Sequence, residues 1–291
     1  MRSKKHVLFG LLRSLRPKDW VKNVVVFVAL VFSSKFLDFT SVSQSFIAFL
    51  LFCIMSSSTY ILNDLADLEE DRKNPKKAKR PLASGLVSPM QALCAALCLT
   101  VVGLGVSFWL DKLLGAVLSL YWVSNLFYSF GLKRVVIMDV MLIALGFVLR
   151  AIGGAVVIHV DISPWLVITT MFLALFLALS KRKAELIQLK EEAGQARPVL
   201  RGYTKALLDS LILVVITSTI VSYTLYSFHS PHSPHMLWTV PFVIYGLFRY
   251  MYLTEVKGLG EQLTEVLLKD RPLVIAGLLW GLSVIAILIY F

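Results

Sequence analysis

Nine stretches of this 291-residue chain read as helices long and apolar enough to cross a lipid bilayer, and that pattern decides the solvent before any motif is considered. An α-helix needs roughly 20 mostly apolar residues to cross about 30 Å of hydrocarbon. The spans fall at about 24 to 38, 43 to 62, 89 to 110, 113 to 130, 136 to 160, 164 to 180, 206 to 228, 236 to 253 and 272 to 291. Hydrophobic residues make up 57% of the chain and charged residues 16%, with a mean hydropathy of +0.76, outside the range of soluble domains. Backbone polar groups in lipid must be satisfied within the segment. The fold class is therefore all-α, a multi-pass transmembrane bundle of about nine helices forming a single domain over residues 1 to 291. Its first span is short, so it is expected to tilt or to run on from an amphipathic segment, residues 1 to 23, that contains VLFGLLRSLRPKDW. No cleavable signal peptide is expected there, because Arg13 follows the apolar VLFGLL run and no small-residue cleavage site appears.

The net charge of +11 would suit a nucleic-acid partner, but its distribution points to membrane topology instead. Seven Lys and Arg precede the first span, six lie between Arg72 and Arg80, two are Lys133 and Arg134, seven run from Lys181 to Lys205, and four from Arg249 to Arg271. The alternate connections hold only Lys35 and Lys112. By the positive-inside rule the N-terminus is cytoplasmic and every even-numbered helix ends at the cytoplasmic face.

The second span ends in STYILNDLADLEEDRKNPKKAKRPLASG. Asn63, Asp64, Asp67 and Asp71 there share an arc of about 100° on an ideal helix. Acidic groups at a helix C-terminus oppose the dipole, so a local cation gives a reason for them. Hard oxygen donors at a cytoplasmic mouth suit Mg²⁺, which keeps waters and shares its shell with substrate phosphates. The loop that follows carries Arg72, Lys73, Lys76, Lys77, Lys79 and Arg80. Such a run suits phosphate, and equally serves topology and anionic lipid. Arg80 is the expected substrate contact, because RPLASG resumes an ordered turn.

This segment closely resembles the first aspartate-rich motif of the UbiA superfamily of intramembrane prenyltransferases. The resemblance implies nine transmembrane helices and Mg²⁺ bound with a diphosphate at Asn63, Asp64, Asp67 and Asp71, with the three aspartates catalytic. Members ordinarily carry a second acidic motif after the sixth helix, where this chain has FLALSKRKAELIQLKEEAG, with Lys181, Arg182 and Lys183 in place of acids. Basic groups there can contact phosphate oxygens directly. RPKDWVKNVVVFVAL, YSFGLKRVVIMDVMLIALGFVLRAIGGA, SKRKAEL, VLRGYT, FRYMYL and LLKDRPL are similar to the decaprenyl-phosphate phosphoribosyltransferase branch, over nearly the whole chain. That branch implies transfer of phosphoribose from 5-phosphoribosyl 1-diphosphate to a polyprenyl phosphate, with release of diphosphate. Lys18, Lys22, Arg80, Tyr128, Lys133, Asp139 and the Lys181 to Lys183 cluster are the candidate substrate contacts. A bacterial plasma membrane is the implied location; no nucleic acid is a partner, and an oligomer is allowed. The alternatives are a conventional prenyltransferase with a modified second motif and a membrane transporter. Against the transporter, no matched pair of Gly/Pro-broken helices stands out.

Two ions lie within the fifth span. Arg150, three turns deeper than Asp139, is expected to face the bundle interior with a partner, since insertion at mid-membrane costs roughly 2.5 to 3.5 kcal/mol. Eleven residues are about 16 Å of helix, too far for the two to pair directly. Asp139 either reaches the active cavity or caps Lys133 or Arg134. Cys53, Cys94 and Cys98 read as packing residues, and His229, His232 and His235 as a surface loop spaced by Pro231 and Pro234.

Overall fold

The computed structural model of the chain describes residues 4–75, 77–189, 198–230, 234–258 and 270–291. Lys76, His232 and the start of LLKDRPL lie outside them. All regular structure among the described residues is helical, and eight helices there are long and apolar enough to cross a membrane. The chain divides into two compact units, one formed by residues 1–133 and 149–161, the other by 134–148 and 162–291.

The first unit contains α1 (Lys4–Ser14), α2 (Val28–Phe32), α3 (Phe39–Ala66), α4 (Leu68–Lys73), α5 (Pro89–Leu110) and α6 (Lys112–Phe130). Caps written into the sequence set these helices. The Asp38 carboxylate accepts from the amides of Thr40 and Ser41 at the start of α3, and the Ser41 hydroxyl bonded to it draws its pKa below the usual carboxylate value. Ser88 and Gln91 form a reciprocal capping box on α5, with Pro89 in its first turn. Asp111 accepts from the amide of Leu114 to start α6. Small side chains let α3 and α5 approach, and Ser58 on α3 bonds the Thr100 hydroxyl at 2.7 Å and donates to the Ala96 carbonyl at 3.0 Å.

The expected first span, 24 to 38, is built differently. A 3₁₀ helix runs over Pro17–Phe27, continues as the short α2, and stops at Ser34, which adopts a left-handed φ of 58° before a second 3₁₀ turn at Lys35–Leu37. Because a 3₁₀ helix rises about 2.0 Å per residue, Pro17 to Phe32 covers about 30 Å in fewer residues than an α-helix needs. At three residues per turn Trp20, Asn23 and Val26 form one stripe. Trp20 donates to Ser57 at 3.1 Å, Asn23 to Cys53 and Ser56 at 3.2 and 3.4 Å, and Val26 is fully buried. The strap starts at Arg16, whose φ is 52°, rather than at residue 24, and the amphipathic part before it is α1. Gly154 makes the tight fit possible, since a Cβ there would stand 1.9 Å from the Val26 carbonyl oxygen.

The helix α7 (Met138–Val157) gives its first half to the second unit and its second half to the first. The second unit adds α8 (Pro164–Leu189), α9 (Lys205–His229), α10 (Val240–Glu255) and α11 (Arg271–Tyr290). Its core includes Ala174, Phe176 and Leu179 of α8 packed with Leu208, Ile212 and Ile216 of α9 and Leu247 and Tyr250 of α10. Thr204 caps α9, and Asp270 caps α11 while accepting both Nε and Nη2 of Arg249, the contact that holds its carboxyl below the usual range. Large apolar side chains face outward, Val101 at 71% exposure and Leu278 at 60%, as lipid contact requires.

Candidate active site

The acidic motif lies wholly in the first unit. Asn63 and Asp64 occupy the last turn of α3, Asp67 forms the bend (φ −96°, ψ 6°) where that helix stops, and Asp71 is on α4. The bend replaces the continuous arc expected for one helix. Asp64 and Asp71 are 3% and 1% exposed, and a charge so placed is tolerated only when paired and hydrogen-bonded. The Arg80 Nη1 meets both, at 2.9 Å from Asp64 and 2.6 Å from Asp71. Arg16, reaching in from the start of the strap, holds Asp64 at 2.5 Å and lies over the ring of Tyr60. The Lys77 ammonium is 3.6 Å from Asp71. Lys133 pairs with Asp67 and donates to Asn63 at 3.2 Å, while the Asn63 amide donates to Asp67 at 3.2 Å.

Four cationic side chains thus attend three carboxylates. Among the described residues no three His, Cys, Asp or Glu groups converge as a ready metal cage. The donor set nonetheless suits Mg²⁺, which is usually held by one or two carboxylates plus substrate phosphates rather than by a dedicated cage. Asp71 also keeps its Oδ1 buried with no hydrogen bond, an oxygen with capacity to spare. The cations that now neutralise the acids have the complementary property, because each can transfer its hydrogen bonds to phosphate oxygens.

Deeper in the same unit Arg150 is 5% exposed, donates to Asn23 at 2.7 Å and to the Tyr121 hydroxyl at 2.9 Å, and stands 4.8 Å from the Tyr121 ring centre. It therefore faces protein with partners, as its position in the membrane demands.

The second unit holds a separate polar cluster. Asp139, fully buried, accepts from Arg182 at 2.7 Å and from the Tyr203 hydroxyl at 2.7 Å, and Arg182, 1% exposed, also reaches Glu185 at 3.1 Å. The Tyr203 hydroxyl accepts the Ile137 amide at 2.9 Å; burial, reinforced by the bond to Asp139, pushes its pKa up to about 12. Lys183 pairs with Asp209 and Glu255, and Lys181 is exposed on the same turn.

The profile of the UbiA prenyltransferase family matches residues 24–265 of this chain. The chain belongs to that family. Along its UbiA sequence it is 34% identical to a decaprenyl-phosphate phosphoribosyltransferase of Mycolicibacterium smegmatis, with 99% of this chain and 94% of that protein covered. It is 30% identical to the decaprenyl-phosphate phosphoribosyltransferase of Mycobacterium tuberculosis H37Rv over 94% of this chain and 93% of the relative. The UbiA fold itself is matched by a UbiA homolog from Archaeoglobus fulgidus bound to GPP and Mg²⁺, with a TM-score of 0.73 at 19% identity, covering 96% of this chain and 99% of that one. The protein is accordingly a multi-pass integral membrane protein of UbiA type.

Of the candidates read from the sequence, the structure brings together Asn63, Asp64, Asp67, Asp71, Arg80 and Lys133 in the UbiA motif. Lys18 is exposed on the strap, Lys22 pairs with Asp19 at 2.6 Å, and Tyr128 is half-buried on α6. Asp139, Lys181, Arg182 and Lys183 belong to the other unit. Two participants went unseen in the sequence, Arg16 and Tyr203. A weak signal for Arg16 was the Arg-Pro step that breaks the amphipathic run; Tyr203, inside VLRGYT, had none beyond that segment's resemblance.

Proposed function

We propose that the protein transfers 5-phosphoribose from 5-phosphoribosyl 1-diphosphate to a polyprenyl phosphate of decaprenyl type and releases diphosphate. The observation that carries this reading is likeness over nearly the full length of both chains to relatives named for that reaction. The geometry supports it: three carboxylates ringed by Arg16, Lys77, Arg80 and Lys133 suit a substrate of high negative charge.

Asn63, Asp64, Asp67 and Asp71 would hold Mg²⁺, which when bound supplies charge neutralisation for the departing diphosphate. An oxygen of the lipid phosphate, already anionic, attacks the anomeric carbon; that C–O bond forms as the bond to diphosphate breaks. No proton need leave the nucleophile, so neither a Ser nor a His is required. Arg80 and Lys133, whose hydrogen bonds now go to the motif, orient and stabilise phosphate oxygens as charge builds on them. Lys18, Lys22 and Tyr128 in the first unit, and Asp139 with Lys181, Arg182 and Lys183 in the second, are carried as further substrate-binding candidates. The site would open to the cytoplasm of a bacterial plasma membrane, in keeping with the alternating Lys and Arg of the connections.

Purified protein supplied with labelled phosphoribosyl diphosphate, a polyprenyl phosphate and Mg²⁺ should yield labelled lipid. Consumption of prenyl diphosphate alone would return the chain to the conventional prenyltransferases.

A further inference from the structure

A small cavity lies beside the acidic motif, of about 190 Å³ and lined by Arg13, Ser14, Arg16, Asp64, Lys79, Arg80 and Pro81. Four of these seven side chains are cationic and one is a carboxylate. Arg16 and Arg80 are engaged by Asp64, but among the described residues neither Arg13 nor Lys79 has an ion-pair partner. Ser14 is buried, and its hydroxyl donates to the Gly10 carbonyl, so the side-chain donors left to the cavity all carry positive charge. Whole small-molecule ligands occupy pockets of roughly 300 to 1,000 Å³, so this one suits a single anionic group rather than an entire substrate.

We infer that this cavity is a phosphate-monoester subsite, and that its occupant is the 5-phosphate of the donor, with Arg13 and Lys79 as the residues that select for it. The inference rests on the phosphoribosyl reading above. A phosphoribosyl diphosphate carries anions at both ends of a pentose ring, so its site needs a second anion position next to the one that holds the diphosphate. The cavity meets that condition because Asp64 and Arg80 belong to both. Backbone strain points the same way. Arg16 holds a left-handed φ of 52°, a conformation costly for a residue with a Cβ. It persists because Trp20 and Asn23 pin the strap to α3, and its effect is that α1 and the strap both present an arginine to the same cavity. A lipid phosphate would bring an isoprenoid chain with it, yet among the described residues Pro81 is the only apolar one lining this cavity. An apolar hollow of about 410 Å³ lies elsewhere in the unit, lined by Val123, Leu126, Phe127, Phe130 and Leu132, and it ends one residue before Lys133.

The test compares wild type with Arg13→Ala/Lys79→Ala in detergent. Ribose 5-phosphate should inhibit and thermally stabilise the wild type. In the double variant both effects should weaken by on the order of tenfold, as expected for the loss of charge-assisted hydrogen bonds, with a matching rise in donor KM. Inhibition by inorganic diphosphate, the acceptor KM and the ligand-free melting temperature should not change, and Arg13→Lys/Lys79→Arg should keep most of the ribose 5-phosphate effect. Equal weakening toward ribose 5-phosphate and diphosphate would reduce the cavity to general electrostatics. A shifted acceptor KM would hand it to the lipid phosphate, and unchanged ribose 5-phosphate effects would remove the subsite altogether. Failure of the wild type to use phosphoribosyl diphosphate would instead sink the functional reading, while the melting shift with ribose 5-phosphate would still decide whether the cavity binds a phosphate monoester.

Discussion

The two units each bury an aspartate against an arginine, but they do so in opposite ways. In the first, Asp64, Asp67 and Asp71 are met by cations from four separate places: the strap, the loop after α4, the Arg-Pro turn and the residues after α6. Arg16 and Arg80 remain about a quarter exposed, so their pairings can be exchanged for others. In the second, Asp139 and Arg182 are almost wholly buried between packed helices, and Tyr203 closes the remaining side. A carboxylate surrounded by long, partly solvated basic chains is arranged for substitution of partners. One enclosed by a buried guanidinium and a phenol is arranged to stay as it is, since breaking such a pair strands a charge.

The sharpest way to break this contrast is to neutralise one acid in each unit. Asp67→Asn should lower turnover by on the order of 10²-fold or more, with a smaller drop in melting temperature than the second unit shows, because Lys133 keeps its hydrogen bond to Asn63. Full activity in that variant would end the case for a metal there. Asp139→Asn should do the reverse, destabilising the fold by roughly 3 kcal/mol, because Arg182 loses its fully buried counter-charge and keeps only Glu185. A variant that melts like wild type but has lost activity would move Asp139 from scaffold to chemistry. Within SKRK the same logic separates neighbours. Arg182→Ala should lose stability as Asp139→Asn does, whereas Lys181→Ala, at an exposed position, should leave the melt intact and raise the donor KM severalfold, an effect of about 1 kcal/mol. Wild-type kinetics in Lys181→Ala would make that residue a topology signal only.

The smallest effect is in pH. Tyr203 keeps its proton up to about 12 in the fold, against an ordinary value of 10.0. Its contribution is fully present below pH 10 and is lost as pH rises from there through about 12, because over that window the native state binds the extra proton. The difference in phenolate absorbance between wild type and Tyr203→Phe follows it directly. A phenolate already formed near pH 10 would mean that the second cluster is far more open than its packing suggests.

Most of the fold was legible because eight spans obey a rule of length and composition that needs no tertiary information. The first did not, because a 3₁₀ strap gains its length from a larger rise per residue and its first turns carry Lys18, Asp19, Lys22 and Asn23, so an apolar run begins only at residue 24. In the site, Asn63 to Arg80 could be read together because the chain keeps them within one helix end and one turn. Arg16 lies 48 residues from the Asp64 it holds, and Tyr203 lies 64 from Asp139. Their roles exist only after distant helices have packed. For SKRK the sequence showed charge but not burial, so nothing distinguished the exposed Lys181 from Arg182, which the structure places against Asp139.

The three-residue stripe of the strap works like the teeth of a gear set into α3. Deleting or adding one residue between Arg16 and Trp20 would turn every later tooth by about a third of a revolution relative to Arg16. With Trp20, Asn23 and Val26 still meshed, it is Arg16 that would be carried round and away from Asp64. The length of this short stretch therefore matters more than its composition.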